Sequence, residues 1–301
     1  MTRDGLPPGA TLRPEALIAL RRLALRASDA PVLSPLPGGI ATRHKGAGLE
    51  VADLRDYAPG DDLRHLDRGA TARTGRPHVR LFQEERDQIA WLVADFGASM
   101  FWGITRAFRS VAAAEALALI GWSVVETGGR VGLLALTPVG PVIVPARPRV
   151  RGMLDVIAGL VSAHGEALDA ILSGETRADP PLDRELLRAE RLAGTGSGLF
   201  IASGFDVEGA GLADRLGDLT RRRDLSLFLV TAAMAGQLPA GRYPVRLSDG
   251  RRVRIRASGN GTARPETVTV AGRPALVVDA ADPPSKTAMR LGLRHVAGRA
   301  A

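Results

Sequence analysis

The feature of this sequence that most restricts its fold is an alternation of short apolar runs with helical patterns. The predicted order is strand 88–94, helix 105–126, strands 131–136 and 142–144, helices 150–163 and 182–192, strand 199–202, helix 211–222 and strand 225–230. Helices of this length between apolar strands indicate a mostly parallel sheet covered on both faces. The short run at 142–144 is predicted as an antiparallel edge strand. We therefore predict an α/β fold with a doubly wound, mostly parallel sheet.

Three further segments flank this predicted domain, which spans residues 87–235. In residues 1–39, leucines alternate with arginines at helical spacing, which predicts an amphipathic helix over 13–28 that docks on the body, followed by a Pro/Gly linker. A membrane-surface helix is the alternative. Residues 40–86 are densely charged and lack periodicity, so we expect an irregular loop segment held by ion pairs. Residues 236–301 carry short strand patterns and are predicted to form a small β-rich C-terminal tail.

The charge of the chain is strongly basic and comes almost entirely from arginine. The formal net charge is +8, and Lys45 and Lys286 are the only lysines. Arginine pairs bidentately with carboxylates and phosphates, so an acidic partner is expected, either a nucleic acid or an acidic protein surface. Aromatic residues make up only 4% of the chain, which disfavours stacking platforms for single-stranded nucleic acid.

Cysteine and targeting signals narrow the function classes further. The chain has no cysteine, which excludes disulfides, thiolate metal sites and a cysteine nucleophile. Arginines interrupt the apolar residues of 1–30, so no continuous signal-peptide core is present there. The apolar run at 111–125 contains Glu115 and is shorter than the ~20 residues of a spanning helix. We expect a soluble, cytoplasmic protein without a membrane span.

Two residues at the end of the first predicted core strand could hold a ligand. Parallel sheets bind ligands at the carboxyl ends of their strands, and Asp95 closes this strand with Ser99 just beyond it. A carboxylate and a hydroxyl are hard oxygen ligands of the kind that Mg²⁺ requires. The alternative is structural, because an aspartate before a glycine-containing turn commonly caps a helix or forms the turn.

A longer pattern resembles a known family. The runs RHKGAGLEVADLRDYAPGDDLRHLD at 43–67, TAR at 71–73, FQEER at 82–86 and DFGASM at 95–100 closely resemble the signature of the bacterial domain of unknown function 58 family. This resemblance implies a divergent von Willebrand factor A-like fold whose first strand ends in a D-x-S-x-S adhesion motif that binds a metal ion. It also implies a non-enzymatic adaptor that acts with a MoxR-type AAA+ ATPase and its client proteins in complex maturation or remodelling.

Thirteen residues of this signature, most of them charged, are predicted to form an interaction surface or a structural network. They are Gly46, Gly48, Glu50, Asp53, Arg55, Tyr57, Gly60, Asp61, Asp62, Arg64, Asp67, Arg73 and Glu84. One position departs from the family pattern, since Arg68 stands where the family usually has tryptophan.

The metal motif itself departs from the family pattern at several ligand positions. Gly97 replaces the first serine, and Gly204 replaces the acid expected after the fourth core strand, with Asp206 displaced from that position. No threonine lies in the 146–151 loop to serve as the distal ligand. Only Asp95 and Ser99 match as metal ligands, and Mg²⁺ is the one cofactor that the resemblance suggests.

Two rival functions come from other classes. The arginine excess is compatible with a basic nucleic-acid-binding protein. A metal-dependent nuclease could use the acids of the charged segment, namely Glu50, Asp53, Asp61, Asp62 and Asp67. These acids alternate with arginines, however, and a carboxylate already paired with arginine is a poor metal ligand. Ser203 lies in Ala-Ser-Gly, which is not a nucleophile elbow.

Overall fold

The structure is a computed structural model that describes residues 5–25, 50–58, 64, 66–83, 88–174, 179–232, 241–246, 252–257 and 266–292. The chain divides into a large unit, residues 1–39 with 88–301, and a small unit, residues 40–87. The helices and strands are α1 Pro14–Ala19, α2 Arg21–Leu25, β1 Glu50–Asp56, α3 Arg68–Thr74, β2 His78–Gln83, β3 Ile89–Asp95, α4 Arg109–Glu126, β4 Arg130–Leu136, β5 Val142–Pro148, α5 Arg149–Ser173, α6 Leu182–Leu192, β6 Gly198–Ser203, α7 Leu212–Thr220, β7 Asp224–Thr231, β8 Gly241–Arg246, β9 Arg252–Ala257, β10 Thr267–Val270, β11 Arg273–Asp279 and α8 Pro284–Arg290.

A seven-stranded sheet in the order β10-β11-β7-β6-β3-β4-β5 forms the centre of the large unit. The five strands β11, β7, β6, β3 and β4 are parallel to one another. The two edge strands, β10 and β5, are each antiparallel to the strand beside them. Both the mostly parallel sheet and the antiparallel strand that follows β4 are as predicted. The prediction of an α/β fold is thus confirmed at this level.

Helices cover both faces of this sheet, so its central strands β3 and β4 carry buried residues on both faces. Successive side chains of a strand point to opposite faces, and both Leu92 and Val93 are completely buried. Leu92 packs in a cluster with residues of α1, α2, α4, α5 and α8, and Val93 packs in a second cluster with residues of α6 and α7. Each such leucine or valine contributes about 1.5–3 kcal/mol of burial free energy.

The N-terminal amphipathic helix lies on the first of these faces. It is divided into α1 and α2, and residues 26–28 of the predicted helix lie outside the described residues. The indole Nε1 of Trp122 in α4 donates a hydrogen bond to the carbonyl oxygen of Leu17 at 3.0 Å. The described part of this segment therefore docks on the body of the large unit.

Helix α5 extends ten residues beyond the C-terminal end that the sequence predicts. Glycine has low helix propensity, but the helix continues through Gly165 because the residues beyond it pack in the core. Ala167 and Leu168 beyond it are buried in the core. Among the described helices, α5 alone has the length and composition of a membrane span, with a mean hydropathy of 1.3, and 56% of that window is buried inside the protein. It packs on β4, β5 and α4, as a core helix does.

The C-terminal segment differs from the separate tail that the sequence suggests. Strands β10 and β11 extend the central sheet, and β11 pairs in parallel with β7. The last five residues of β11 are buried, so this part of the segment belongs to the core. Within the described ranges, strands β8 and β9 pair only with each other, and residues 247–251 between them lie outside those ranges.

The small unit contains regular structure where an irregular loop was expected. Strands β1 and β2 pair antiparallel, with a register shift between Val51 and Asp53. Helix α3 begins at its N-cap Asp67, whose side chain accepts a hydrogen bond from the backbone N–H of Ala70 at 2.7 Å. The expectation of a loop was wrong for these residues. Backbone hydrogen bonds between β1 and β2 form a regular structure although the sequence has no regular hydrophobic pattern.

Candidate functional site

A cavity of about 280 Å³ opens at the carboxyl ends of the parallel strands. If β10 is left out and the other six strands are renumbered 1 to 6 in chain order, their order across the sheet is 3-2-1-4-5-6. The order reverses between strands 1 and 4 of this numbering, which are β3 and β6. Ligands of doubly wound sheets bind at this switch point. The cavity is lined by Asp95, Gly97, Ser99, Leu136, Thr137, Pro138, Val139, Gly140, Pro141, Asp179, Pro180, Leu182, Glu185, Arg188, Ser203 and Val207. It therefore brings the two predicted ligands, Asp95 and Ser99, to one site.

The carboxylate of Asp95 is held by the ends of both switch-point strands. Its Oδ2 accepts a hydrogen bond from the hydroxyl of Ser203 at 2.5 Å, and its Oδ1 accepts one from the N–H of Gly97 at 2.9 Å. Burial raises the pKa of the Asp95 carboxyl above its ordinary value, although these two hydrogen bonds oppose the rise. The nearby Asp179 carboxylate raises this pKa further, and the charge of Arg109 lowers it.

Asp179 is a site residue that sequence reasoning missed. Its carboxylate accepts hydrogen bonds from the backbone N–H groups of Ala98 at 3.0 Å and Ser99 at 3.4 Å. A Cβ atom at Gly97 would lie 2.8 Å from Asp179 Oδ2 and 3.1 Å from Asp95 Oδ1. A serine at position 97 would therefore require the Asp179 carboxylate to move.

Arg109, at the start of α4, was also missed. Its Nε donates to the carbonyl oxygen of Val230 at 2.8 Å, and its Nη1 donates to the carbonyl oxygen of Ser99 at 3.2 Å. The same Nη1 lies 2.9 Å from Asp206 Oδ2, and the arginine side chain is only 7% exposed. One guanidinium thus ties together the segments at the carboxyl ends of β3, β6 and β7.

Gly204 leaves room for this guanidinium. A Cβ atom at Gly204 would collide with the guanidinium of Arg109 and with the carboxylate of Asp206. The next residue, Phe205, has a φ of +52°, and its N–H donates to the Ser203 hydroxyl oxygen at 2.9 Å. The acid expected at position 204 therefore has no space while this ion pair is in place.

The donors of the cavity can be compared with what a resident Mg²⁺ needs. Three carboxylates and three hydroxyls line the cavity, but both oxygens of Asp95 and both of Asp179 already accept hydrogen bonds, and Glu185 pairs with Arg188. Within the described ranges, no group of three or more His, Cys, Asp or Glu side chains is arranged to hold a metal ion. The residues do not fit a resident Mg²⁺ in this arrangement. That Asp95 and Ser99 are metal ligands stays a prediction.

The predicted network residues belong to the small unit where they are described. Glu50, Asp53 and Arg55 lie on β1, Tyr57 follows that strand, Arg64 precedes α3, Asp67 caps α3 and Arg73 lies in its last turn. Gly46, Gly48, Gly60, Asp61, Asp62 and Glu84 lie outside the described residues. The backbone N–H of Tyr57 donates to the carbonyl oxygen of Pro77 at 2.8 Å, which links β1 to the start of β2. Their joint role as a network stays a prediction.

Comparison with known proteins finds relatives in two species of Mycobacterium. The uncharacterized protein Mb1516 of Mycobacterium bovis and the uncharacterized proteins MT1527 and Rv1480 of Mycobacterium tuberculosis are each 36% identical to the chain over 168 residues, which is 51% of this chain and 53% of each relative. The chain thus matches about half the length of these curated relatives. No solved structure matches it significantly. The model of the family described as "Protein of unknown function DUF58" matches residues 53–235, more than half of the chain, and the chain therefore belongs to that family.

Proposed function

We propose that this chain is a non-enzymatic protein-interaction adaptor of von Willebrand factor A type, which captures a partner at the carboxyl-end cavity. The partner is a MoxR-type AAA+ ATPase or its client, in the maturation or remodelling of protein complexes in the cytoplasm. The observation that carries this proposal is how the charged groups of the cavity are used. Asp95 and Asp179 accept hydrogen bonds from backbone N–H groups of the loop after β3, and the neighbouring Arg109 donates to the backbone carbonyl oxygen of Val230.

This use of the polar groups favours binding over chemistry. A nucleophile needs a general base within hydrogen-bond reach. The Ser203 hydroxyl donates to Asp95 and accepts from the N–H of Phe205, and the same Asp95 carboxylate accepts from the N–H of Gly97, so this pair holds the ends of β3 and β6 together. Among the described residues that line the cavity, none is a histidine or a lysine. The arrangement favours a rigid, preorganised surface.

The size and lining of the cavity also favour a protein partner. At about 280 Å³ the cavity lies at the lower end of the usual range of small-ligand pockets, about 300–1,000 Å³, and is large enough for a side chain or a loop tip of a partner. Apolar residues line it together with its charged groups, and one of them, Val139, is 59% exposed. An exposed apolar side chain beside charged groups is suited to excluding water from a protein contact.

The strand order supports the von Willebrand factor A type. The resemblance implies a sheet of this type whose first core strand ends in the aspartate of the motif, and Asp95 ends β3 at the centre of a doubly wound sheet. The cavity lies at the point where the adhesion motif of such a fold would bind.

The test is capture of a purified MoxR-type AAA+ ATPase from the same organism by the immobilised full chain. We expect retention by the wild-type chain and loss of retention by Val139→Asp, which places a charge on the rim of the cavity. Ile143→Asp is the matched control, because Ile143 is 46% exposed on β5 and does not line the cavity. Retention no greater than on an unrelated bait, or equal loss in both variants, would contradict the proposal.

A further inference from the structure

Helix α6 begins at the cavity and separates its charges by face. Leu182, Glu185 and Arg188 of this helix line the cavity. The acidic side chains of α6 are used within the protein: Asp183 Oδ2 accepts from the N–H of Gly211 at 2.9 Å, and Glu190 pairs with Arg215 of α7 at 2.9 Å. Helix α6 has as many acids as arginines, but Asp183 and Glu190 bind groups outside the helix and only Glu185 contacts an α6 arginine, Arg188.

The arginines of α6 form an exposed stripe. Arg184, Arg188 and Arg191 are all exposed, and their spacing of four and three residues puts them on one face of the helix. Within the described part of the chain, neither Arg184 nor Arg191 takes part in an ion pair. Arg188 contacts Glu185 at 3.3 Å but is 48% exposed, so it can still bind a ligand. We name these three residues the α6 arginine face.

We propose that the α6 arginine face docks an acidic segment of a partner protein that reaches the cavity at Arg188. Between Arg184 and Arg188 the helix rises about 6 Å, and alternate residues of an extended peptide are about 6.6 Å apart. Acidic residues at alternate positions of an extended segment therefore match this spacing. The inference rests on the proposed function in one respect, that this side of the sheet is a protein-docking face.

The neighbouring cavity favours an acidic peptide over nucleic acid. Duplex DNA carries a negative charge about every 1.7 Å along its axis. Next to Arg188 such a polyanion would meet the carboxylates of Asp95, Asp179 and Glu185, which line the cavity. A peptide can instead place a neutral side chain in the cavity and keep its acids on the helix. The α6 arginine face therefore fits a peptide whose acidic charge is local.

The probe is a fluorescein-labelled peptide of alternating glutamate and serine, titrated with the full chain at low salt and followed by fluorescence anisotropy. The test variant changes all three residues to glutamine: Arg184→Gln, Arg188→Gln and Arg191→Gln. The control variant removes the same charge from three exposed arginines at the other end of the sheet: Arg147→Gln, Arg149→Gln and Arg151→Gln. Surface ion pairs are individually weak, so we expect about a tenfold loss of affinity in the test variant and less than about twofold in the control.

Three results of the binding titrations would overturn the inference. Absence of peptide binding by the wild-type chain is one, and equal losses in the two triple variants, which would show an effect of net charge alone, is another. The third is tighter binding of a labelled duplex DNA than of the peptide, with loss in the α6 variant, which would make the face a nucleic-acid site. In the ATPase capture assay, loss in Val139→Asp with full retention by the α6 variant would overturn this inference and leave the proposed function standing. Peptide binding that depends on the α6 arginine face, without any ATPase capture, would support this inference and overturn the proposed function.

Discussion

Replacing Arg109 with methionine removes the guanidinium that joins three segments at the carboxyl ends of the strands. The carbonyl oxygens of Val230 and Ser99 lose their donor, and the carboxylate of Asp206 loses its counter-ion. Removing one partner of a buried ion pair costs about 3–5 kcal/mol. Because the Asp206 side chain is 35% exposed and can regain water, we expect the lower end, about 3 kcal/mol.

Urea unfolding followed by tryptophan fluorescence measures this change in the free energy of unfolding. For a chain of this size, about 3 kcal/mol corresponds to a fall in Tm of about 6–12 °C. The control is Arg147→Met, because Arg147 is 53% exposed and pairs with Asp155 at 3.0 Å, a pair expected to contribute about 0–1 kcal/mol. If Arg109→Met is no less stable than Arg147→Met, the guanidinium does not hold these loops and the reasoning is wrong.

Further predictions concern the two glycines and the two carboxylates of the site. Gly204→Ala should lower Tm by displacing Arg109, and thermal melting of Gly204→Ala combined with Arg109→Met should give less than the sum of the single effects. The raised pKa of Asp95 means that the folded chain retains this proton where the unfolded chain has lost it, so its contribution to stability falls as pH rises through the folded-state pKa. Asp95→Asn should remove that fall, as measured by urea midpoints across acidic and neutral pH; an unchanged pH profile would contradict the assignment. Gly97→Ser should destabilise the chain, and Asp179→Ala should relieve that cost in the double variant, measured by thermal melting. Calorimetric titration of Mg²⁺ into the chelator-treated chain should give no heat with the wild type, whereas heat that Asp95→Ala abolishes would mean that the adhesion-type site binds an ion.

The central sheet could be predicted because its strands are apolar on both faces. The runs at 88–94 and 131–136 have no polar face, which is typical of strands buried between helix layers, and both pair in parallel as expected. Helix α5 was predicted too short, because Gly165 has low helix propensity and its packing cannot be read from local sequence. The addition of β11 to the sheet was missed for the same reason, since pairing with β7 is a long-range contact.

Which residues of the site could be predicted also depends on whether their contacts are local or long-range in the sequence. Asp95 and Ser99 follow one strand within a few residues, so a local pattern identifies both. Asp179 reaches Ala98 across 81 positions, and Arg109 reaches Val230 across 121. The residue types carry no signal for these contacts: an aspartate before two prolines resembles a turn, and an arginine at a helix start resembles a solvated charge.

Two of the departures from the metal motif that the resemblance implies, Gly97 and Gly204, fit the rest of the site and are not isolated losses. Gly97 lies where a Cβ atom would press against Asp179, and Gly204 lies where one would collide with Arg109. Each glycine thus accompanies a charged side chain that needs its space and that binds backbone groups of the same loops. Restoring the motif's serine alone would require the Asp179 carboxylate to shift and to give up its present position on the backbone of Ala98 and Ser99. In this arrangement the carboxyl-end loops are held in place by the chain's own carboxylate and guanidinium, without a cation to order them.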